Sequence, residues 1–153
     1  MPVQLSVIGD AAAERSRLEV AYEVGRLAAA KGWVVLSGGM GGVMEAASRG
    51  AAEAGGLTVG ILPTYDFSAA NEYSKVVVPT GLGHARNTLV VAAGHGVIAV
   101  GGRYGTLSEI ALALKLGKPV VGINTWPGIE GVWPAKDAEA AVSKISALLE
   151  TQT

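Results

Sequence analysis

The 153-residue sequence predicts an α/β fold on three observations. Short apolar runs alternate along the chain with longer segments whose apolar residues recur with helical spacing. Several short runs, such as VVL and VIAV, are apolar at every position, which is typical of parallel strands buried on both faces. Many of the 22 glycines stand where these runs end. We therefore expect one Rossmann-like three-layer domain over residues 1–153, with a mostly parallel sheet and helices on both faces.

The first predicted elements follow in the order strand, helix, strand, helix. Residues 4–8 form the first strand, because their run QLSVI is short and mostly apolar. Residues 14–31 form a helix, because their apolar side chains recur at i, i+3 and i+4 spacing, and Gly32 ends it. Residues 33–37 form the second strand, and residues 42–54 form the second helix, which a glycine pair ends.

The middle of the chain continues this alternation. Residues 58–62 form the third strand, which Pro63 ends because proline lacks the amide hydrogen that a sheet needs. A loop leads to a short strand at residues 75–78 and then to a helix at residues 84–93. Residues 97–100 form the next fully apolar strand.

The last predicted elements are a helix, a strand and a helix. Residues 104–116 form the first of these helices, and residues 119–123 form the last strand. A loop containing Trp126 and Trp133 leads to a final helix at residues 137–150. We expect this loop to pack against the body of the domain; the alternatives are stacking on a ligand ring and a contact between copies of the chain.

The composition excludes several classes of function. The 12 Lys and Arg residues nearly balance the 13 Asp and Glu residues, so the net charge of −1 gives no reason to expect nucleic acid or an anionic membrane as partner. The absence of cysteine excludes disulfides, thiolate catalysis and cysteine-ligated metals. The N-terminal sequence lacks the pattern of a signal peptide, and the longest apolar run is shorter than the roughly 20 residues that span a bilayer. We expect a cytoplasmic protein.

Two similar glycine-rich turns each leave a predicted strand and enter a helix. Their residues are Gly38, Gly39, Met40, Gly41 and Gly42 in the first turn, and Gly102, Arg103, Tyr104, Gly105 and Thr106 in the second. Helix N-termini present free N–H groups with partial positive charge, and glycine lets an anion approach them. Neither turn is a P-loop or a G-x-G-x-x-G motif, so NAD binding is disfavoured. We expect a phosphate site here, the alternative being glycines that only allow tight packing between strand and helix.

A glutamate, Glu45 or Glu109, follows each turn in what is predicted to be the first turn of a helix. Thr106 and Glu109 have the spacing of a capping box, in which the glutamate binds the N–H of the cap residue. Glu45 has the same ambiguity, with Gly42 at the cap position. The spacing alone does not separate a structural glutamate from a catalytic one.

A third segment, PTGLGHAR, places Arg86 in the first turn of the helix at residues 84–93. A positive charge there is unfavourable for the helix dipole, and a residue placed against local preference indicates a function. A guanidinium binds phosphate through two parallel hydrogen bonds. We expect Arg86 to bind phosphate, with Gly81, Gly83 and His84 beside it; the alternative is a surface arginine.

Asp10 and the two histidines of the chain complete the candidates. Asp10 follows the first strand, where it either caps the first helix or binds a sugar or a pterin. No acidic cluster accompanies either histidine, so we expect no metal site.

Four segments together resemble the LOG-like (SLOG) superfamily over about residues 3–123. They are the glycine turn at residues 37–44, the segment at residues 55–63, Arg86, and the Gly-Thr…Glu pattern at residues 105–109. The enzymes of this family are cytokinin riboside 5′-monophosphate phosphoribohydrolases, which release a base from a nucleoside monophosphate with an arginine and a glutamate. The resemblance implies that these residues are Arg86 and Glu109. Members are often labelled lysine decarboxylase-like, but no lysine here lies in a recognisable pyridoxal phosphate site.

The chain departs from the enzyme motif of that family at two places. The lysine after the arginine is Asn87, and the Pro-Gly-Gly run becomes Gly101, Gly102 and Arg103. Residues 80–86 and 105–115 are more similar to the branch that contains the molybdenum cofactor carrier protein, whose role is binding. Members are commonly dimers or tetramers, so the resemblance implies a homo-oligomer.

We therefore expect a protein that binds a phosphate-bearing heterocycle, either a molybdopterin-type cofactor or a nucleoside monophosphate. No cofactor is required for chemistry, and the molybdenum cofactor would be bound as cargo. The alternative is a phosphoribohydrolase that cleaves the N-glycosidic bond of nucleoside 5′-monophosphates, with Arg86 holding the phosphate and Glu109 stabilising charge on the ribose or activating water. A third possibility is an oligomeric scaffold with a vestigial pocket.

Overall fold

A computed structural model describes residues 1–152 of the chain. The described residues form a parallel β-sheet covered by α-helices. The strands are β1 Gln4–Gly9, β2 Val34–Ser37, β3 Thr58–Leu62, β4 Val76–Pro79, β5 Gly96–Val100, β6 Val120–Ile123 and β7 Val132–Pro134. The helices are α1 Arg15–Ala30, α2 Val43–Glu53, α3 Arg86–Ala93, α4 Tyr104–Lys115 and α5 Ala138–Glu150. Two 3₁₀ turns are formed by Phe67–Ala69 and Gly83–Ala85.

All neighbouring strands of the sheet are parallel, in the order β4-β3-β2-β1-β5-β6-β7. The chain winds outward from β1 to β4 and then returns to the centre, where β5 pairs with the free edge of β1. Gly9 at the end of β1 pairs with Val100 at the end of β5, so both strands stop at the same level. The reversal leaves a crevice between these two carboxyl ends, which is where open α/β sheets bind ligands.

The sheet has an apolar core on each face. On one face, α1, α2 and α5 pack against residues such as Leu5, Val35 and Ile98. On the other face, α3 and α4 contribute Val90 and Ile110 to a second cluster. Burial on both faces explains why the central strands are apolar at nearly every position.

Helices α1 and α2 come into close contact because each contributes a glycine. A Cβ on Gly25 of α1 would lie less than 3.0 Å from the carbonyl oxygen of Ala47. A Cβ on Gly50 of α2 would lie equally close to the carbonyl oxygen of Tyr22. This contact sets the position of α2, and therefore of the glycine turn that precedes it.

The predicted helices and strands are all present, with ends that agree within two residues, and the α/β prediction is confirmed. The predicted helix at residues 84–93 begins as the 3₁₀ turn Gly83–Ala85 and becomes α-helical at Arg86. One prediction is wrong: Val132–Pro134, expected within a loop, is a seventh strand at the edge of the sheet beside β6. A strand of three residues is too short to show an alternating pattern, and Pro134 is tolerated because an edge strand can spare an amide hydrogen.

Within residues 1–152, no helix is both long enough and apolar enough to cross a membrane.

Candidate functional site

A cavity of about 230 Å³ opens at the crevice between β1 and β5. Its walls come from the end of β1 and the segment after it, from the N-terminal parts of α2, α3 and α4, and from the 3₁₀ turn before α3. The lining residues are Gly9, Asp10, Ala11, Met44, His84, Arg86, Asn87, Arg103, Gly105, Thr106 and Glu109. The fold thus brings Arg86 and Glu109 to one cavity together with part of the second glycine turn.

The Arg86 side chain enters this cavity from the first residue of α3, as the sequence predicts. Its Nη1 donates to the side-chain oxygen of Asn87, and its Nη2 lies 3.4 Å from the carbonyl oxygen of Gly38. Its Nε is buried and has no hydrogen-bond partner. Burial lowers the pKa of Arg86 from its usual value, and the nearby Glu109 opposes that change. An arginine stays charged in proteins, so Arg86 is a partly buried cation with an unused N–H group.

Gly81 and Gly83 shape the chain that leads into Arg86. Gly81 donates its N–H to the carbonyl oxygen of Thr64 at 3.1 Å, and Gly83 donates to that of Pro63 at 2.9 Å. Both have a positive φ, 66° and 59°, a conformation that favours glycine. Their N–H groups are already bonded within the protein and are not free to bind an anion.

Glu109 lies in the second turn of α4. The helix begins at Tyr104 with Arg103 at the cap position, and its first turn contains no acidic residue. The capping-box interpretation of Thr106 and Glu109 is therefore wrong, since that motif requires the threonine itself at the cap. Glu109 is only 7% exposed and has no hydrogen-bond partner among the described residues.

Burial raises the pKa of Glu109 to about 7, and the positive charge of Arg86 limits the rise. At neutral pH this carboxyl group is therefore divided between its protonated and its charged form. A group with such a pKa can donate or accept a proton near neutral pH. The cavity can thus hold an anion at Arg86 and exchange a proton at Glu109.

The N-terminus of α4 offers free backbone N–H groups to the same cavity. The first hydrogen bond of the helix runs from the N–H of Leu107 to the carbonyl oxygen of Arg103, at 2.9 Å. The N–H groups of Tyr104, Gly105 and Thr106 therefore have no helical acceptor, and no side chain caps the helix. Free N–H groups at a helix N-terminus bind anions.

The turn before α2 does not line this cavity, although the N–H groups of Met40, Gly41 and Gly42 have no acceptor among the described residues. Gly39 donates its N–H to Ser37 Oγ at 3.1 Å. Val43, the first residue of α2, donates its N–H to the carbonyl oxygen of Asp10 at 2.9 Å. A Cβ on Gly42 would lie less than 3.0 Å from the same oxygen, so this turn packs tightly on the chain that follows β1.

The same turn holds the guanidinium of Arg86. The carbonyl oxygen of Gly38 and the sulfur of Met40 both lie near Nη2, the latter at 3.9 Å. A Cβ on Gly38 would lie less than 3.0 Å from Nη2, so a side chain at this position would displace the guanidinium. Gly41 packs against the carbonyl oxygen of Ala11. We infer that the first glycine turn positions the arginine, whereas the second offers N–H groups to the cavity itself.

Three further candidates have different surroundings. Glu45 lies in the first turn of α2, as predicted, but faces a groove between α1 and α2 outside the cavity. Asp10 lines the cavity, and its Oδ2 lies 3.7 Å from Nη1 of Arg17. Asp10 is not the cap of α1, which is Glu14. His84 is exposed and lines the cavity.

Sequence reasoning missed four residues of this cavity. Asn87 is buried and accepts a hydrogen bond from Arg86, so it orients the guanidinium. Its only sequence signal is its position next to Arg86. Gly9, Ala11 and Met44 also line the cavity, but nothing in the sequence separates them from other strand-end, loop and helix residues.

A second cavity, of about 490 Å³, is lined by Gly102, Arg103, Tyr104 and Trp126, and so shares Arg103 with the first. Trp126 donates its indole N–H to the carbonyl oxygen of Arg103 at 2.9 Å. It also packs against the core beneath α3 and α4, as predicted for this loop. The rings of Tyr104 and Trp126 have centroids 5.6 Å apart and are tilted by 38°. Tyr104 is 79% exposed.

No group of three His, Asp or Glu side chains in the described part of the chain is arranged to hold a metal ion.

Comparison with known proteins places these features in a family. The model of the SLOG cluster4 family matches residues 2–152. The solved structure of the molybdenum cofactor binding protein from the phototrophic bacterium Rippkaea orientalis superposes with a TM-score of 0.92 and 38% identity, over 97% of this chain and 98% of that one. The Moco carrier protein from Chlamydomonas reinhardtii superposes with a TM-score of 0.90 and 35% identity, over 99% of each chain. The cytokinin riboside 5′-monophosphate phosphoribohydrolase of Mycobacterium tuberculosis is 31% identical over 125 residues, which are 75% of this chain and 66% of that protein.

Proposed function

The chain belongs to the SLOG cluster4 family, and from this premise we propose that it binds the molybdenum cofactor, a phosphate-bearing pterin, as cargo. The phosphate of the cofactor lies between Arg86 and the N-terminus of α4. The likeness to the cofactor-binding proteins of Rippkaea orientalis and Chlamydomonas reinhardtii supports the choice of ligand.

One observation carries this proposal: a buried cation and unbonded N–H groups line the same cavity. The Nε of Arg86 has no partner, and an unsatisfied buried donor costs about 1–3 kcal/mol, or more when charged. The N–H groups of Gly105 and Thr106, which line the same cavity, are also free. A doubly charged phosphate accepts hydrogen bonds from both sets at once.

The size of the cavity limits how much of the ligand it encloses. Its volume of about 230 Å³ lies below the roughly 300–1,000 Å³ of typical small-molecule pockets. The cavity therefore does not enclose the whole ligand, and because Arg86 and the free N–H groups attract the phosphate, we place the phosphate inside it and the ring system outside.

Replacing Arg86 with glutamine tests the phosphate site. We expect Arg86→Gln to weaken binding of the isolated molybdenum cofactor roughly 30-fold, because a hydrogen bond to a charged group contributes about 1.5–3 kcal/mol. Calorimetric titration under anaerobic conditions measures the change in Kd. The control is Arg26→Gln, an exposed arginine on α1 that pairs with Glu23, and its Kd should match that of the wild type. A wild-type protein that binds neither the cofactor nor AMP contradicts the proposed function.

Glu109 favours a second candidate, the phosphoribohydrolase reaction. Its carboxyl group is buried, has no hydrogen-bond partner and lines the cavity with Arg86. Arg86 would hold the phosphate of a nucleoside 5′-monophosphate, while Glu109 stabilises the positive charge that develops on the ribose or takes a proton from the attacking water. The similarity to the enzyme of Mycobacterium tuberculosis supports this alternative more distantly.

Glu109→Gln separates the two candidates. If the chain is a phosphoribohydrolase, we expect this variant to release adenine from AMP at least about 100-fold more slowly than the wild type, because it removes the proton-transfer group. Chromatography of the released base measures the rate. A wild type that binds AMP and releases no adenine rules out this reaction for AMP and leaves the carrier function standing. Equal rates for wild type and variant show that Glu109 is not catalytic.

Three expectations remain predictions: that the chain forms a homo-oligomer, that it is cytoplasmic, and that it does not bind nucleic acid.

A further inference from the structure

We infer that the exposed ring of Tyr104 is the platform on which the planar heterocycle of the ligand stacks. This inference rests on the proposed function, because it places the second half of the same ligand. The phosphate cavity is too small to enclose the phosphate and the ring system of such a ligand together, so we place the ring system on the surface next to it.

The first observation is the position of Tyr104. It is the first residue of α4 and directly precedes Gly105 and Thr106, whose free N–H groups lie at the phosphate cavity. Its side chain lines the second cavity, and Arg103 lines both cavities. A ligand that extends out of the phosphate cavity past Arg103 therefore arrives at the Tyr104 ring.

The second observation is the exposure of this ring. Tyr104 is 79% exposed, so its ring is accessible to a ligand that leaves the phosphate cavity. The Trp126 ring lies on its other side, with centroids 5.6 Å apart. This spacing leaves no room for a third ring between the two, since stacked or tilted aromatic pairs already lie about 4.5–7 Å apart. The heterocycle therefore stacks on the outer face of Tyr104.

The third observation is that the ring is fixed relative to the phosphate donors. The carbonyl oxygen of Arg103 accepts the indole N–H of Trp126 and also the N–H of Leu107, which is the first hydrogen bond of α4. Trp126 in turn packs against the apolar core. The aromatic pair and the helix N-terminus therefore form one unit, whose spacing suits a ligand that carries a planar ring and a phosphate.

Two substitutions of Tyr104 test the inference. Tyr104→Leu removes the aromatic ring, whereas Tyr104→Phe keeps the ring and removes only the hydroxyl group. We expect Tyr104→Leu to bind the molybdenum cofactor and AMP about tenfold more weakly, which corresponds to about 1.4 kcal/mol. Tyr104→Phe should bind both like the wild type. Ribose 5-phosphate, which has a phosphate and no ring system, should bind all three proteins equally.

The controls separate failure of this inference from failure of the proposed function. Trp133→Phe changes a tryptophan of β7 that lines neither cavity, and it should leave every Kd unchanged. A wild type that binds none of these ligands overturns the proposed function, and the inference with it. If the wild type and Tyr104→Leu bind the cofactor equally tightly, the inference is overturned and the proposed function stands. The inference also fails if Tyr104→Phe binds the cofactor as weakly as Tyr104→Leu does. It fails as well if Tyr104→Leu loses affinity for ribose 5-phosphate to the same degree as for the cofactor.

Sedimentation velocity of the same variants tests the remaining explanation for the exposed ring. If Tyr104→Leu dissociates an oligomer and leaves the Kd for the cofactor unchanged, the ring belongs to a contact between copies of the chain. That result overturns the inference.

Discussion

Glu109→Gln is expected to stabilise the ligand-free protein by about 3 kcal/mol at pH 8 and by almost nothing at pH 4. Burial raises the pKa of Glu109 from 4.5 to about 7. At pH 8 the folded protein therefore holds a buried negative charge that has no hydrogen-bond partner. Glutamine has nearly the same shape without the charge, so the variant avoids this cost.

The direction of the pH dependence follows from proton binding. Between pH 4.5 and about 7, Glu109 is protonated in the folded protein and charged in the unfolded chain. The contribution of Glu109 to the free energy of unfolding therefore falls as the pH rises through this window, and it is constant above it. Glutamine does not titrate, so the stability difference between the two proteins opens within the same window.

Urea denaturation of both proteins at pH 4, 6 and 8 measures this difference. Glu130→Gln, at an exposed position before β7, controls for the loss of a surface charge. An equal gain at pH 4 and pH 8, or no gain at pH 8, contradicts the prediction. If the gain is observed, the chain retains a destabilising carboxylate in the cavity, as expected when a residue serves function at the expense of stability.

Gly25→Ala is expected to destabilise the protein by about 3 kcal/mol or more, at the upper end of the cost of overpacking a core. The added Cβ would lie less than 3.0 Å from the carbonyl oxygen of Ala47, and backbone atoms in a packed helix cannot move away independently. Helices α1 and α2 must then separate along their whole contact. The better helix propensity of alanine offsets only about 1 kcal/mol of this loss.

Thermal unfolding measures the effect, and Gly105→Ala is the matched control. Gly105 also lies in a helix, but no atom would lie within 4 Å of an added Cβ there. We expect Gly25→Ala to lower Tm by about 10 °C, at roughly 2–4 °C per kcal/mol for a chain of this size. Gly105→Ala should leave Tm unchanged or raise it slightly. If Gly25→Ala is as stable as the wild type, α1 and α2 are not in close contact at Gly25.

The site was predictable in part, for reasons that particular residues show. Arg86 stands in the first turn of a helix against the helix dipole, and this position is visible in the sequence. The role of Glu109 was not visible, because the spacing to Thr106 fits a capping box that the actual start of α4 excludes. The state of the glycine N–H groups was also hidden. Gly81 and Gly83 resemble free phosphate ligands in the sequence, yet both donate to carbonyl oxygens from the loop after β3.

Local patterns alone were enough for the fold class and for the order and ends of nearly every helix and strand, because periodicity, glycine and proline act over a few neighbouring residues. The return of the chain from β4 to β5, beside β1, left no trace in the sequence, since strand order depends on packing between segments far apart in the chain. That return creates the crevice and brings Arg86 to the same cavity as Glu109. The burial that raises the pKa of Glu109 arises in the same way, because it is produced by side chains from other helices and strands rather than by neighbours in sequence.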